Sequence, residues 1–580
     1  MPEPFTVSFE GKALPARRGQ SLASVLSDGG ESVFRRTAKG TGRGLFCGMG
    51  VCQDCLLTVD GRANQRACMT AAQPGMVVYR QQPGPGLGPG TPTGPGPAAS
   101  LYPESAAATP AAQVLEPDVL VLGAGAGGLS AAIAAARAGV EVLVLDERKV
   151  EGGQYFKQPS ADLPLLDRQQ RSGAELLEKA RASGARLLSG IELWGAFEGP
   201  ELYAGSADGE ALILRPRELI VATGAYERPR LVPGWTLPGV MTTGAAQTLW
   251  RSYRSLPGRR VAVCGSGPLN LQVALELRRG GAEEVFVAER AGSPLLNPLR
   301  SLALVASAPE LAMSGIAIRL GLARAGVPVR YATELRSVEP LGSGGLRAFF
   351  RRGNREESRE LDALCMNDGF EPQNEVLRLL GAKMRYDPDF GHLRCERGRH
   401  CETSVPGVFA VGDCCGLGGA PAAVAEGAIA GAAAAGRCTR GGRPESDVAS
   451  ETDELRQARR DLAAARRFQK HLWALHDPSP QDLVDANPET VLCRCEEITV
   501  GDFRGALSAG HSHIGAIKSA TRLGMGCCQG RYCGPAAARL HARRHGGRVE
   551  DYSFFAPQVP IKPVSVDVLE ATARAVEPDD

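Results

Sequence analysis

From Val114 to about Gly436 the chain alternates short Val/Leu/Ile runs with Ala-rich stretches of helical length. Brief uninterrupted apolar runs are what strands covered on both faces look like, and helical stretches between them predict parallel α/β layers. Ahead of this region, residues 1–82 form a separate unit whose Phe5 to Leu14 segment carries a hairpin pattern. Between the two, residues 83–113 hold proline or glycine at 14 of 31 positions, which supports neither helix nor ladder and predicts a linker. After Gly436 the pattern turns polar, then amphipathic and arginine-rich over Glu451 to His476, as expected of a connecting helix. The boundaries expected from these shifts are 114–258 and 359–440 for one split domain, 259–358 for an insert, 441–487 for the connector, 488–545 for a small helical unit and 546–580 for an extended tail.

Two apolar stretches, Gly127 to Leu145 and Ala420 to Gly436, invite a membrane reading. Arg137, Glu141 and Glu426 interrupt them, and their Ala/Gly content suits helices packed tightly on a sheet. With 66 basic and 64 acidic residues the net charge is only +2, so bulk attraction to nucleic acid is not expected. Met1 to Glu10 shows no secretory pattern, and a cytoplasmic setting is expected.

The 16 cysteines change the picture, because four lie between Cys47 and Cys68 and five between Cys493 and Cys533. Clusters at two ends, with seven scattered between, read as metal sites in a reducing compartment rather than a disulfide framework. Cys47, Cys52 and Cys55 have the spacing C-x4-C-x2-C, with Cys68 following, the plant-type [2Fe–2S] arrangement. Zinc is the alternative, but only one pair has knuckle spacing.

Val119 to Leu122 runs into Gly123-Ala-Gly125-Ala-Gly-Gly128, a helix, and a second strand ending at Asp146 and Glu147. Strand, glycine loop, helix and distal acid together make a dinucleotide fingerprint: Gly123 turns, Gly125 admits the pyrophosphate, Gly128 allows close packing and Asp146 meets the ribose. Ile220 to Gly224 ends in Ala-Thr223-Gly224, and Val408 to Asp413 ends in Gly412-Asp413. These motifs resemble the FAD domain of the two-dinucleotide flavoprotein reductases. That resemblance implies FAD contacts at Asp413, Thr223, Gly224 and Gly412, and at Gly153 and Gln154 of the Gly152-Gly153-Gln154 segment. A second fingerprint follows: Arg260 to Cys264, then Gly265-Ser-Gly267-Pro-Leu-Asn270, then a strand ending at Glu289. Asn270 stands where the third glycine belongs, which weakens close helix packing. Glu289 suits NAD or another adenine nucleotide. Turnover of NADH, binding without turnover and an empty structural domain all remain open for this site.

Near the C-terminus, Cys493-Arg-Cys495 and Cys528-x4-Cys533 resemble the bacterioferritin-associated ferredoxin type of [2Fe–2S] domain. Cys527 competes with Cys528, and zinc is the alternative occupant. Ala222 to Pro229, Pro233 to Gly239 and this terminal unit together resemble the α subunits of heteromeric amino-acid and opine dehydrogenases. That family includes hydrogen cyanide synthase, opine oxidases, proline and D-hydroxyproline dehydrogenases and the front part of sarcosine oxidase α. The N-terminal unit resembles the small ferredoxin-like subunit of the same systems, fused in front. A chain ending at residue 580 leaves no room for the folate-type domain of sarcosine oxidase α, which argues against folate-coupled demethylation.

The expected fold is therefore α/β, a two-dinucleotide-binding-domain flavoprotein with an NAD-like Rossmann insert in the FAD domain. It is flanked by a β-grasp-like [2Fe–2S] domain and a small C-terminal helical [2Fe–2S] domain. By resemblance, a partner β flavoprotein subunit oxidises the C–N bond and further small subunits join. FAD and both clusters relay electrons, an FMN lies near the subunit interface, and the assembly attaches peripherally to the inner face of the membrane without a spanning segment. The rival is a self-contained NADH-dependent FAD/[2Fe–2S] reductase; a scaffold with vestigial sites is the non-enzymatic reading.

Overall fold

The computed structural model describes residues 4–81, 111–160, 163–342, 344–440, 452–476, 479–544 and 546–576. Strands Pro4–Phe9 and Lys12–Arg17 pair antiparallel, placing Val7, Phe9, Leu14 and Ala16 on one buried face. Val77–Arg80, Leu56–Val59 and Arg62–Arg66 complete a five-stranded sheet, and helix Leu22–Asp28, capped by the Ser21 side chain, covers it. The loop carrying Cys47, Cys52 and Cys55 leads into strand Leu56–Val59.

The middle of the chain builds two parallel sheets. The first has the order Arg186–Ser189, Val142–Asp146, Val119–Leu122, Glu218–Val221, Val408–Ala410. Helices Ala126–Arg137 and Gly419–Thr439 lie on one face of it. Here the Ala/Gly composition finds its reason: a Cβ at Gly427 would overlap the Gly127 carbonyl, and one at Gly431 the Ala131 carbonyl. The two helices touch backbone to backbone, and among the described residues no helix is long and apolar enough to cross a membrane. The second sheet runs Val240–Thr242, Ala363–Asn367, Arg260–Gly265, Glu284–Glu289, Val329–Tyr331. Two of its strands extend the insert beyond the expected 259–358 on both sides: 240–242 at one edge and 363–367 next to it both hydrogen-bond into this sheet. Strands Ala225–Glu227 and Phe370–Pro372 pair where the chain crosses between the two sheets.

Two further boundaries shift. Of the linker segment, 83–110 lie outside the described residues, and Gln113 already belongs to strand Gln113–Leu115, paired with Ala211–Leu214. The extended tail is corrected: it carries helix Val566–Val576, whose Val568 and Ala571 pack with Trp194 and Ile213 on the edge sheet of the first dinucleotide domain. Val568, Ala571 and Thr572, at helical spacing, form the face of this helix that covers the sheet. The connecting helix Asp453–His476 packs Ala458, Leu462 and Ala465 against Ala422, Ala425 and Ile429.

One charge cluster ties three parts of the chain together. Arg66 of the N-terminal domain bonds both carboxylate oxygens of Glu192, at 3.0 and 2.8 Å. Lys562 of the C-terminal segment reaches the same Glu192 at 3.3 Å and also pairs with Glu147. Burial works against a charge on Glu192, but Lys562 and Arg66 outweigh it and hold its pKa down at about 2. A depressed carboxylate contributes stability above its unfolded pKa and loses it as pH falls through the folded value. Glu192→Gln is therefore expected to lower the thermal midpoint at neutral pH. The gap from wild type should narrow between pH 4.5 and pH 2; a gap independent of pH in that window would show that the Glu192 charge contributes nothing.

Candidate redox site

Gly123 donates to the Leu145 carbonyl at 2.7 Å, which folds the first glycine loop over the strand ends. A Cβ at Gly128 would overlap the Gly123 carbonyl, so helix and loop close only because no side chain stands there. Asp146 accepts from the Ala124 N–H at 2.6 Å and the Arg148 N–H at 2.8 Å, and burial pushes its carboxyl up to about 6. Gly152 donates to the Ala124 carbonyl at 2.9 Å, and a Cβ on Gly153 would stand 2.8 Å from Gly125 Cα. These two bare loops form a backbone cradle of the kind a pyrophosphate needs.

On the far side of the cradle, Thr223 donates to the Gln373 carbonyl at 2.6 Å, and Gly224 accepts from Gln373 N–H at 2.9 Å. Gly412 donates to Glu426 at 2.8 Å, and Glu426 is held in turn by Arg397 at 2.9 and 3.1 Å. Asp413 accepts from the N–H groups of Gly418 and Gly419, each at 2.9 Å, at the start of helix Gly419–Thr439. The donor and acceptor set fits FAD. Two of the expected contacts are engaged elsewhere: Glu147 pairs with Lys562, and Gln154 accepts from Lys157 at 2.7 Å. Lys157 carries no motif that would have singled it out. It is buried, also donates to the Gly244 carbonyl and Thr248, and burial pulls its pKa down to about 7.

The second glycine loop is built differently. Gly265 lies so close to Asn367 that a Cβ would overlap its carbonyl. Asn270 does not loosen the packing here: it accepts from Thr243 at 2.8 Å and donates to the Asn367 carbonyl at 3.0 Å. Glu289 is buried and accepts from Ala291 N–H at 3.0 Å and Gly267 N–H at 3.3 Å. The end of the connecting helix sits on this loop. Ser266 donates to the His476 carbonyl, His476 Nδ1 lies 3.7 Å from Glu289, and the Trp473 ring stands over Gly267. Nothing in the sequence pattern announced this contact, since Ser266 and His476 are 210 residues apart.

The thiols come together in pairs. Cys55 and Cys68 have their sulfurs 3.4 Å apart, and the Cys52 N–H donates to Cys47 Sγ at 3.4 Å. At the other end Cys493 lies against Cys533, and Cys495 against both Cys527 and Cys528. Among the described residues no group of three or more His, Cys, Asp or Glu is placed to hold a single metal ion. Two thiolates on each of two irons is the demand of a [2Fe–2S] rhomb, and the Cys47–Cys52 and Cys55–Cys68 pairs fit it, whereas three thiols meet at Cys495.

The two cysteine loops share one core. Asp54, between Cys52 and Cys55, is ion-paired with Arg494, between Cys493 and Cys495, and both are almost completely buried. Arg35 reaches Asp54 at 2.8 Å from the other side. Burial opposes the Asp54 charge, but Arg494, Arg35 and Arg43 outweigh it and hold the carboxyl below the usual range. The Arg494 guanidinium lies 4.0 Å over the Phe46 ring, and Phe46 meets Trp235 at 5.7 Å and Tyr532 at 5.3 Å. Tyr532 meets Tyr226 at 5.3 Å, and Tyr226 donates to the Arg531 carbonyl at 2.8 Å. Tyr226 follows the half-buried Thr223–Gly224 turn, and one buried core extends from it to Cys47 and Cys52 and to Cys493, Cys528 and Cys533, while Cys55 and Cys68 lie in a second core.

This fold and site define a flavoprotein oxidoreductase with two dinucleotide domains. The pyridine nucleotide-disulphide oxidoreductase model matches residues 117–427, the 2Fe-2S iron-sulfur cluster binding domain model 2–83, and the sarcosine oxidase A3 domain model 488–573. The last match runs into the C-terminal segment, in keeping with its packed helix. An opine oxidase subunit of Rhizobium meliloti is 33% identical over 80% of this chain and 99% of its own length. Hydrogen cyanide synthase of Pseudomonas aeruginosa matches twice. Its HcnB chain is 31% identical over 77% of this chain and 96% of its own length, and its HcnA chain is 41% identical over 13% of this chain and 71% of its own length. The protein belongs to the family that holds this opine oxidase subunit together with HcnB of hydrogen cyanide synthase. Among solved structures, L-proline dehydrogenase from P. horikoshii superposes with a TM-score of 0.69 at 20% identity, covering 98% of both chains, which shows a common fold.

Gly128→Ala is expected to abolish flavin loading while leaving the iron–sulfur absorbance in place, checked by the visible spectrum of the purified protein. Asp54→Asn leaves the buried Arg494 and the half-buried Arg35 short of their counter-charge. It is expected to cost about 3–5 kcal/mol, read as a lower midpoint of thermal unfolding; an unchanged midpoint would remove the pair from the account of how the two domains dock.

Proposed function

We propose that this chain is the electron-relaying subunit of a heteromeric dehydrogenase or oxidase acting on the C–N bond of an amino acid, imino acid or opine. Substrate oxidation takes place on a partner β flavoprotein chain: the CH–NH unit becomes C=N, the carbon giving up a hydride (two electrons and one proton) to the flavin of that chain and the nitrogen losing its proton to solvent. Relatives named as subunits of opine oxidase and hydrogen cyanide synthase support this reading. The observation that carries it is the buried core that joins Tyr226, next to the flavin-type turn, to Cys47 and Cys52 of one thiol set and Cys493, Cys528 and Cys533 of the other. FAD, when bound, exchanges electrons in pairs or singly, and each [2Fe–2S] cluster takes one at a time. The protein's own work is then to hold the centres at fixed spacing and exclude water between them.

Gly123, Gly125, Gly128, Asp146, Gly153, Thr223, Gly224, Gly412 and Asp413 are the residues we assign to FAD. Cys47 with Cys52, and Cys55 with Cys68, are assigned to the two irons of the N-terminal cluster. Cys493 with Cys533, and Cys495 with Cys528, are assigned to the C-terminal one, in preference to zinc. The FMN implied at the subunit interface belongs in this reading to the contact between the two chains, and the assembly attaches peripherally to the inner face of a membrane. The second glycine loop, with Gly265, Gly267 and Glu289, serves as a socket for Trp473 and His476 rather than as an NADH site. This weighs against the rival NADH reductase.

The test is to express the chain with and without its partner chain. Both chains together should reduce a soluble acceptor with the amine substrate. The isolated chain should hold about four iron atoms and show two distinct paramagnetic signals on reduction, and it should not oxidise NADH. Steady NADH oxidation by the isolated chain would overturn the assignment. Zinc in place of half the iron would overturn its C-terminal part.

A further inference from the structure

The buried core between the two thiol sets holds three aromatic side chains that carry a hydrogen-bond donor: Trp235, Tyr226 and Tyr532. Two of the donors are used. Trp235 Nε1 donates to the Val491 carbonyl at 2.7 Å, and the Tyr226 hydroxyl donates to the Arg531 carbonyl at 2.8 Å. The Tyr532 hydroxyl has no partner among the described residues, although the residue is only 6% exposed and its oxygen is shut off from solvent. Leaving a buried hydroxyl unpaired costs free energy, so this one calls for an acceptor that the protein atoms do not supply.

The surroundings of Tyr532 identify the acceptor. Its ring lies 5.3 Å from that of Phe46, the residue immediately before Cys47. Cys47 and Cys52 share the core of Tyr532, whereas Cys55 and Cys68 lie in the other. The thiols whose charge reaches the hydroxyl most strongly are Cys47 and Cys52, ahead of Cys528. Tyr532 is next to Cys533 in the chain, yet the sulfurs it senses most belong to the other domain. A thiolate or sulfide of an iron–sulfur centre is an ionised acceptor, and bonds to ionised acceptors are the stronger ones.

We infer that Tyr532, carried by the C-terminal domain, donates its hydroxyl to a sulfur on the Cys47–Cys52 side of the N-terminal [2Fe–2S] site and thereby sets the reduction potential of that site. This rests on the assignment of Cys47, Cys52, Cys55 and Cys68 to that cluster. Reduction adds one negative charge to the cluster, so a hydrogen bond to sulfur stabilises the reduced form more than the oxidised one and raises the potential. One residue then serves both centres: its main chain continues into the Cys533 ligand, and its hydroxyl reaches the other cluster. The N-terminal centre gains this bond only when the C-terminal domain is docked through Asp54 and Arg494.

The test is a redox titration of the full-length holoprotein, followed by the paramagnetic signals of the two reduced clusters. The N-terminal signal is the one that Cys68→Ala removes. Tyr532→Phe keeps the ring and deletes only the donor, so iron content, flavin absorbance and thermal midpoint should stay as in wild type. Its N-terminal cluster should become harder to reduce by about tenfold in the equilibrium constant, about 59 mV for a one-electron centre. The C-terminal midpoint should move less. Tyr226→Phe removes a hydroxyl already bonded to a carbonyl and should leave the N-terminal midpoint in place. After exchange into D2O, the reduced N-terminal signal of wild type should carry a deuteron coupling that Tyr532→Phe lacks. An unchanged N-terminal midpoint in Tyr532→Phe, with both signals present, would overturn the inference. The hydroxyl would then belong to a water in the cavity of about 10 Å³ that Tyr532 lines with Tyr226 and Arg531. A shift confined to the C-terminal signal would overturn it as well, by giving the hydroxyl to Cys528. Wild type with no N-terminal signal and half the expected iron would refute the cluster assignment and the inference with it, a failure that iron analysis tells apart from the other two.

Discussion

The structure depends on a buried ion pair between two loops that are 440 residues apart in the chain. Asp54 and Arg494 each stand between cysteines, each is nearly free of solvent, and neither could be buried alone. Taking a lone charge out of water costs several kcal/mol, so the two loops are buried together or not at all. The Arg494 guanidinium stacked over Phe46 adds packing to the same contact. Once this pair closes, Cys47 and Cys52, Cys493, Cys528 and Cys533, and the aromatic group of Phe46, Trp235, Tyr532 and Tyr226 belong to one core.

Around that contact the molecule uses close backbone approach wherever a cofactor or a helix must come near. Gly128 and Gly153 leave a cradle at the first nucleotide loop, and Gly427 and Gly431 let two long helices touch. The high glycine content is in this sense a packing device, concentrated where layers meet. Charged clusters then hold the peripheral parts in register. Glu192 receives Arg66 from one end of the chain and Lys562 from the other. Arg397 and Glu426 fix the turn at Gly412, beside the position where Asp413 meets its helix.

The two nucleotide loops show how one motif takes two uses. The first meets a second bare loop, backbone against backbone. The second faces Trp473 and His476, delivered by a helix packed on the first domain. The glycine spacing makes the turn in both cases, and the neighbouring segment decides what the turn receives.

Much of this is legible in the residues. Periodicity and the glycine loops mark the parallel layers, cysteine spacing separates two metal-type sites, and the Ala/Gly stretches predict packed helices. Local spacing controls turns, strand length and helix faces, so it survives in a linear reading. Partnership between distant segments does not. The Asp54–Arg494 pair, the Trp473–His476 plug, the seat of helix Val566–Val576, and the strands 240–242 and 363–367 of the insert all come from contacts that chain order leaves undetermined. Glu147 shows the physical reason: its place beside Asp146 suggests a cofactor contact, but only the folded chain brings Lys562 to it.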